Sequence, residues 1–206
     1  MYLKRQSAPR SWPITRKGTA YVVRPMSDLN NEGIPLLIAL REMLKITRNR
    51  NEAKKVLRLG EIKVNGKIVF DERRALRLFD IITISALGKS YKVSLNEKAK
   101  FELIEVNGKE AEIKVVRVIN KKTLKKKKTQ LNFSDGSNVI SNMKCNVNDS
   151  VVIDFKGNKP EKCLELKEKA RVLVIGGKHT GAYGMIDSLD KEHKMALPGL
   201  CGDQYR

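Results

Sequence analysis

The chain has 206 residues, which at about 150 residues per average domain allows one to two domains, or three small modules. It carries 42 Lys and Arg against 23 Asp and Glu, a formal charge of +19, with 41% hydrophobic and only 5% aromatic residues. That apolar content excludes a fully disordered polyelectrolyte and argues against a large enzyme built around one deep pocket, while the excess of cations calls for a polyanion to offset its self-repulsion, nucleic acid first.

Residues 1–33 read as a basic N-terminal arm. Lys4, Arg5, Arg10, Arg16, Lys17 and Arg24 occur with no acid through Pro25. Pro9, Pro13 and Pro25 forbid a long helix. Two readings stand: a disordered basic tail, or an arm that orders on RNA, its cations on phosphates and the single tryptophan, Trp12, as a stacking or anchoring group. With so little apolar surface to offset about 1–2 kcal/mol of backbone ordering per residue, the arm is expected to order only on its partner.

From Ile34 the pattern turns helical. Leu36, Leu37, Leu40, Met43 and Leu44 recur at three- and four-residue spacing, with Arg41 and Lys45 on another face. Asn51 or Asn49 caps a second helix carrying Ala53, Val56 and Leu57, which Gly60 stops. Lys54, Lys55 and Arg58 fall on its solvent side, and Arg48 and Arg50 precede it. Ile62-Lys63-Val64, Asn65-Gly66 and Lys67-Ile68-Val69 spell a hairpin, because both positions of such a two-residue turn need positive φ. Asp80-Ile81-Ile82-Thr83-Ile84 closes this unit of two helices and short strands, which spans residues 34–88.

Residues 89–166 read as a central β domain. Tyr91, Val93 and Leu95 alternate; Phe101, Leu103 and Ile104 lead to a turn at Asn107-Gly108; Ala111, Ile113, Val115 and Val118 follow. Thr129, Leu131 and Phe133 run to a turn at Asp135-Gly136, and Val151, Ile153 and Phe155 alternate again. Repeated short strands with turn dipeptides indicate a small barrel or sandwich. Between two of them Lys121, Lys122, Lys125, Lys126, Lys127 and Lys128 form a run expected to be a loop reaching a polyanion; a nuclear localisation patch is the rival reading. Residues 167–206 form the last module: Arg171-Val172-Leu173-Val174-Ile175 is a strand, followed by a loop with Gly176, Gly177, Gly181 and Gly184 that admits close approach of another backbone. That loop is not a phosphate loop, since Val172 and His179 occupy positions such a loop reserves for Gly and Ser or Thr.

Three of these stretches together resemble one family. Leu3-Lys4-Arg5-Gln6-Ser7-Ala8-Pro9-Arg10-Ser11-Trp12-Pro13-Ile14 is similar to the N-terminal signature of the archaeal and eukaryotic small-subunit ribosomal protein S-four-e, more archaeal than eukaryotic in its Arg-Ser-Trp-Pro-Ile form. Arg50-Asn51-Glu52-Ala53-Lys54-Lys55-Val56-Leu57, Gly60-Glu61-Ile62-Lys63-Val64-Asn65-Gly66-Lys67 and residues 80–84 resemble the S-four RNA-binding module. Residues 174–186 resemble the KOW motif of SH3-like barrels. The likeness covers residues 2–190. The lysine run is more basic than the family pattern, and residues 191–206 do not resemble the strands that end such a barrel.

The resemblance implies an α+β, multi-domain fold: the helix-hairpin module, a central β-barrel-like module and a KOW/SH3-like barrel. It implies a structural constituent of the small ribosomal subunit that binds ribosomal RNA and supports translation in the cytoplasm, beside neighbouring ribosomal proteins. The candidate RNA contacts are the arm cations with Trp12; Arg41, Lys45, Arg48, Arg50, Lys54, Lys55, Arg58, Lys63, Asn65 and Lys67; the lysine run; and Lys178, His179 and Tyr183 of the glycine loop. No catalytic residue, metal, cofactor, small-molecule substrate or membrane contact is expected.

Two other functions fit the sequence less well. An enzyme using the S-four module as an RNA handle needs a separate core of about 150 residues or more, whereas the residues after that module read as β modules, and His179 and His193 have no matched nucleophile or acid. A transcription or translation factor with a KOW barrel lacks an effector domain here. The apolar stretch at residues 34–40 contains Pro35 and falls far short of the about 18–20 residues of a membrane span, and no apolar segment of a signal peptide follows the N-terminal charges. Cys145, Cys163 and Cys201, odd in number and with no CxxC pair, read as ordinary reduced thiols.

Overall fold

The computed structural model describes residues 2–26, 33–124, 128–141, 143–155, 157, 159–190 and 195–199, with residues 188–190 and 195–199 described by backbone alone. It is a mixed structure, mostly strands with few helices.

The N-terminal segment is folded, contrary to the expectation of an arm that orders only on a partner. Strands β1 (Tyr2–Lys4) and β2 (Tyr21–Val23) pair antiparallel, Leu3 opposite Val22. Ala8, Trp12 and Val22 join the main core. Trp12 is 2% exposed and its indole N–H donates to the Gly33 carbonyl at 3.1 Å. A tryptophan buries more apolar area than almost any other side chain and wants a partner for its one donor. This site meets both demands, which offsets the ordering entropy that the cationic neighbours cannot.

β3 (Ile34–Pro35) pairs with β6 (Ala75–Leu76) and leads into α1 (Leu36–Ile38), which continues as one π-helical turn, Ala39–Met43. The apolar positions predicted for one helical face are here, and residues 36–40 are buried all round. In α2 (Arg50–Arg58) the predicted face is observed: Ala53 and Leu57 point inward. Asn49 is the cap. Its side-chain oxygen accepts from the Glu52 N–H at 3.0 Å, satisfying one amide that a helix start leaves open, and the Glu52 carboxylate reaches back to accept from the N–H of Arg48, the residue before the cap, at 2.7 Å. Gly60, at φ +73°, ends the helix.

β4 (Ile62–Val64) and β5 (Lys67–Ile68) make the predicted hairpin, with Asn65 at φ 51° and Gly66 at φ +76°. β7 (Ile81–Ile84), β8 (Lys89–Leu95) and β9 (Phe101–Val106) extend it into a five-stranded antiparallel sheet ordered β5-β4-β7-β8-β9. The sequence boundary at residues 88/89 therefore cuts a continuous sheet: β7 and β8 are joined by a tight turn closed by Gly88 at φ +63°.

The second sheet is ordered β12-β11-β10-β13-β14, from β10 (Ile113–Thr123), β11 (Thr129–Phe133), β12 (Asn138–Ser141), β13 (Ser150–Asp154) and β14 (Lys159–Leu164). Ala111, read as strand, lies in a 3-10 turn, Gly108–Glu112. The long β10 serves two partners, β13 along its first half and β11 along its second, with an irregularity between Val118 and Asn120. This strand has its own small core around Val118, Leu131, Phe133 and Val151. A third sheet contains β15 (Arg171–Leu173), β16 (Tyr183–Asp190) and β17 (Met195–Gly199) in that order. β17 pairs along β16, so a strand does follow the glycine loop where the sequence showed no resemblance to one.

Two contacts fix these sheets to one another. Lys114, 4% exposed, reaches Asp80 Oδ1 at 2.5 Å and Asp135 Oδ2 at 2.9 Å. The Asp80 carboxylate also accepts from Asn65 Nδ2 at 2.8 Å and the Arg77 N–H at 2.7 Å. Three donors on one buried carboxylate meet the condition under which burying charge is tolerable. The second contact is at Gly181, which is buried at φ +91°; a Cβ there would collide with the carbonyl of Asn96, whose carbon lies 2.8 Å away.

Candidate nucleic-acid interface

The sequence-predicted cations divide into those facing solvent and those consumed within the protein. On α2 the inward side carries Ala53 and Leu57, which places Lys54, Lys55 and Arg58 outside. Lys67 is exposed on the adjoining hairpin, and Lys63 is half-buried between the inward-pointing Ile62 and Val64. Lys45 and Arg48 are exposed in the connection before α2. Helix α2 and the hairpin are therefore each basic outside and apolar toward the core.

Several arginines do otherwise. Arg5 donates to the Thr19 carbonyl at 2.6 Å, the Thr15 carbonyl at 2.7 Å and Thr19 Oγ1 at 2.6 Å, closing the loop before β2. Arg16 donates to the Ala8 carbonyl at 3.0 Å. Arg50 binds Glu72 through Nε at 2.8 Å and NH2 at 2.5 Å, which holds its guanidinium above its ordinary range. Arg41 pairs with its neighbour Glu42 at 2.8 Å. Of the remaining N-terminal cations, Lys4, Arg10 and Lys17 are exposed and Arg24 is half-buried. Arg10 and Arg16 border a cleft of about 610 Å³, with Lys100, over the buried Trp12.

Of the two roles expected of Trp12, stacking or anchoring, the structure favours anchoring, because its ring is enclosed in the core. Asn65 is a turn residue: its Nδ2 donates to Asp80 and its Oδ1 accepts from the Ile81 N–H at 2.9 Å, so both polar atoms of its side chain already have a partner within the protein.

The lysine run is partly strand. Lys121 and Lys122 pair in β10 opposite Leu131 and Gln130, where strand alternation separates the two like charges by turning them to opposite faces. Lys121 Nζ donates to the Cys145 carbonyl at 2.5 Å. Lys128 is exposed, while Lys125, Lys126 and Lys127 lie outside the described residues. In the glycine loop Lys178 and His179 are exposed, and Tyr183 is 66% exposed with its hydroxyl 3.4 Å from Ser94 Oγ. The close backbone approach expected at this loop is met by the protein's own Asn96 at Gly181.

Sequence reasoning missed Tyr2 and Tyr21, which are 62% and 59% exposed. The alternation Tyr2-Leu3-Lys4 and Tyr21-Val22-Val23 could have revealed them as the outer face of a hairpin.

Neither titration nor metal chemistry singles out a reactive centre among the described residues. Burial, and then contact with Cys145, pushes the Cys163 thiol up to about 12, which makes it inert. No group of His, Cys, Asp and Glu among them could hold a metal ion, and no described helix is long and apolar enough to cross a membrane.

The class this arrangement defines is that of basic, strand-rich structural proteins. Family comparison agrees. Residues 2–27 match the model of the RS4NT (NUC023) domain, and residues 87–160 match that of the ribosomal family S4e. The small ribosomal subunit protein eS4 of Methanocella arvoryzae is 36% identical over 190 residues, 91% of this chain and 80% of that protein. That of Halobacterium salinarum is 32% identical over 205 residues, 98% of this chain and 86% of that protein. The crystal structure of the 30S ribosomal protein S4e from Thermoplasma acidophilum superposes with a TM-score of 0.69 over 81% of this chain and 91% of that one, at 23% identity, and so shares the fold. The chain belongs to the eS4 family of small ribosomal subunit proteins. Its role is that of a structural ribosomal protein, and the family is not enzymatic.

Proposed function

We propose that this protein binds small-subunit ribosomal RNA through the basic surface of α2 and the β4–β5 hairpin, helped by exposed cations of the N-terminal segment and the glycine loop. The observation that carries this reading is the sidedness of α2: Lys54, Lys55 and Arg58 face outward while Ala53 and Leu57 enter the core. In this reading residues 34–88 act as an S-four-like handle and residues 167–190 as a KOW-like one, within a cytoplasmic subunit that also supplies protein neighbours. Such lysines grip phosphates and recognise RNA by shape more than by base sequence.

The test is the salt dependence of binding to small-subunit ribosomal RNA, together with comigration with small subunits in a sucrose gradient. Each phosphate neutralised contributes about −0.7 to −0.9 to the slope of log K against log salt, so about ten contacts give a slope near −7 to −9. A slope near −2, or release from subunits in moderate salt, sinks the extended footprint.

A further inference from the structure

We propose that Tyr2 and Tyr21 form a stacking platform for unpaired RNA bases on the outer face of the β1–β2 hairpin, an inference that rests on the RNA-binding reading and gives it a second kind of site. The register puts Tyr2 opposite Val23 and Tyr21 opposite Lys4, so Tyr2, Lys4 and Tyr21 share one face while Leu3 and Val22 take the other. Val22 is buried in the main core and Leu3 packs against it. The hairpin is therefore held from behind, and its aromatic face looks outward.

Two large aromatic side chains more than half exposed on so short a hairpin are costly to leave in water and serve nothing in the core. Their ring centroids are 6.4 Å apart with planes inclined at 55°, so the rings touch without stacking on each other. Tyr2 is braced from the protein side. The Arg50 guanidinium lies 5.8 Å from its ring centroid and donates to its hydroxyl at 3.4 Å, and Arg50 is itself held by the buried carboxylate of Glu72. Lys54 approaches the same Glu72 oxygen at 3.9 Å.

The surroundings choose the ligand. Residues 2–26 contain no acid, Lys4 stands beside Tyr21 in the register, and the Glu72 carboxylate that holds Arg50 behind the platform is met by Arg50 and Lys54. A ring face rimmed by cations suits a nucleobase stacked on tyrosine with its phosphates on the lysines. It suits a double helix poorly, since paired bases keep their faces to themselves.

The experiment measures binding of the full chain to fluorescein-labelled hexauridylate and to a labelled RNA duplex across a salt series. In the double variant Tyr2→Ala, Tyr21→Ala, hexauridylate binding is expected to weaken about tenfold or more, with duplex binding within about twofold of the parent. Its salt slope should not change, because stacking releases no counterions. Tyr2→Phe with Tyr21→Phe, which keeps both rings, should restore hexauridylate binding, and thermal melting of all variants guards against misfolding. Lys4→Ala should instead reduce the salt slope by about 0.7. The platform is overturned if the double Ala variant binds hexauridylate within twofold of the parent, if it loses both RNAs equally, or if it keeps both yet fails to enter small subunits, which marks a protein-facing surface. If the parent binds neither RNA even at low salt, the failure belongs to the RNA-binding reading itself.

Discussion

The N-terminal segment and α2 are both rich in cations, and they differ in how they use part of them. In α2 the lysines and Arg58 face outward, because a helix with one apolar stripe has nowhere else to put them. In the N-terminal segment, which has little regular structure, Arg5 and Arg16 turn back and donate to the carbonyls of Thr15, Thr19 and Ala8. An irregular loop leaves backbone carbonyls without partners, and a guanidinium offers five donors in a fixed fork. Charge density in a sequence thus says little about direction; the residue type and the regularity of the backbone decide whether a cation meets a ligand or mends the fold.

The strongest way to test that distinction is its buried exception, Lys114. Lys114→Met strands Asp80 and Asp135 without their cation, and about 3–5 kcal/mol of stability should be lost, a drop of roughly 10 °C or more in Tm. A shift of under 2 °C would mean that the two carboxylates find other partners. Gly181→Val comes next. Its Cβ meets the Asn96 backbone and its φ of +91° is strained for any side chain, so about 1–3 kcal/mol is lost locally. Protease should then cut between residues 174 and 182 faster than in the parent, and unchanged cutting rates would remove the docking role given to this glycine.

Arg5→Lys sharpens the contrast directly. An ammonium cannot reach three acceptors in a fork, so about 1 kcal/mol of stability should go, with the salt slope of RNA binding unchanged. Lys55→Ala or Arg58→Ala on α2 should do the reverse, taking about 0.7–0.9 from the slope and leaving Tm in place. If Arg5→Lys changes the slope and the α2 variants do not, the division of labour proposed between the two regions is inverted.

The smallest effect concerns acid. Burial raises the Asp135 carboxyl, but the Lys114 ammonium and the Ser137 hydroxyl and N–H outweigh it and hold it below its ordinary value. A carboxyl depressed in the folded state contributes stability that is present above its unfolded value, about 3.9, and lost as pH falls through the folded one. Asp135→Asn should flatten the acid limb of a stability–pH curve below about pH 4, and an unaltered limb would count against this cause.

Local signals were legible wherever a short stretch decides its own structure. The turn at Asn65-Gly66, the stop at Gly60, the inward face of α2 and the turn at Asp135-Gly136 depend on φ preference and periodicity alone, and each is found in place. What could not be read depends on distant partners. That β8 and β9 extend the first sheet is settled by pairing with β7, and nothing in their alternation distinguishes that sheet from the next. For Trp12 the sequence leaves stacking and anchoring both open, because its neighbours are basic and proline-rich; what decides is the carbonyl of Gly33, 21 residues away. Asn65 looked available because its turn role uses the backbone, whereas its side chain is engaged by Asp80 and Ile81.

The Asp80–Lys114–Asp135 contact also sets a timetable. During synthesis Asp80 emerges 34 residues before Lys114, and Asp135 a further 21 after it. Until both have left the exit tunnel, the carboxylate that ends up enclosed between the sheets is kept hydrated by the cost of burying an unpaired charge. The first sheet can form its strands early, but closure against the second must wait. A nascent chain halted before Lys114 would therefore still hold Asp80 in water, and the place of the first sheet against the second becomes fixed only once the middle of the chain has been made.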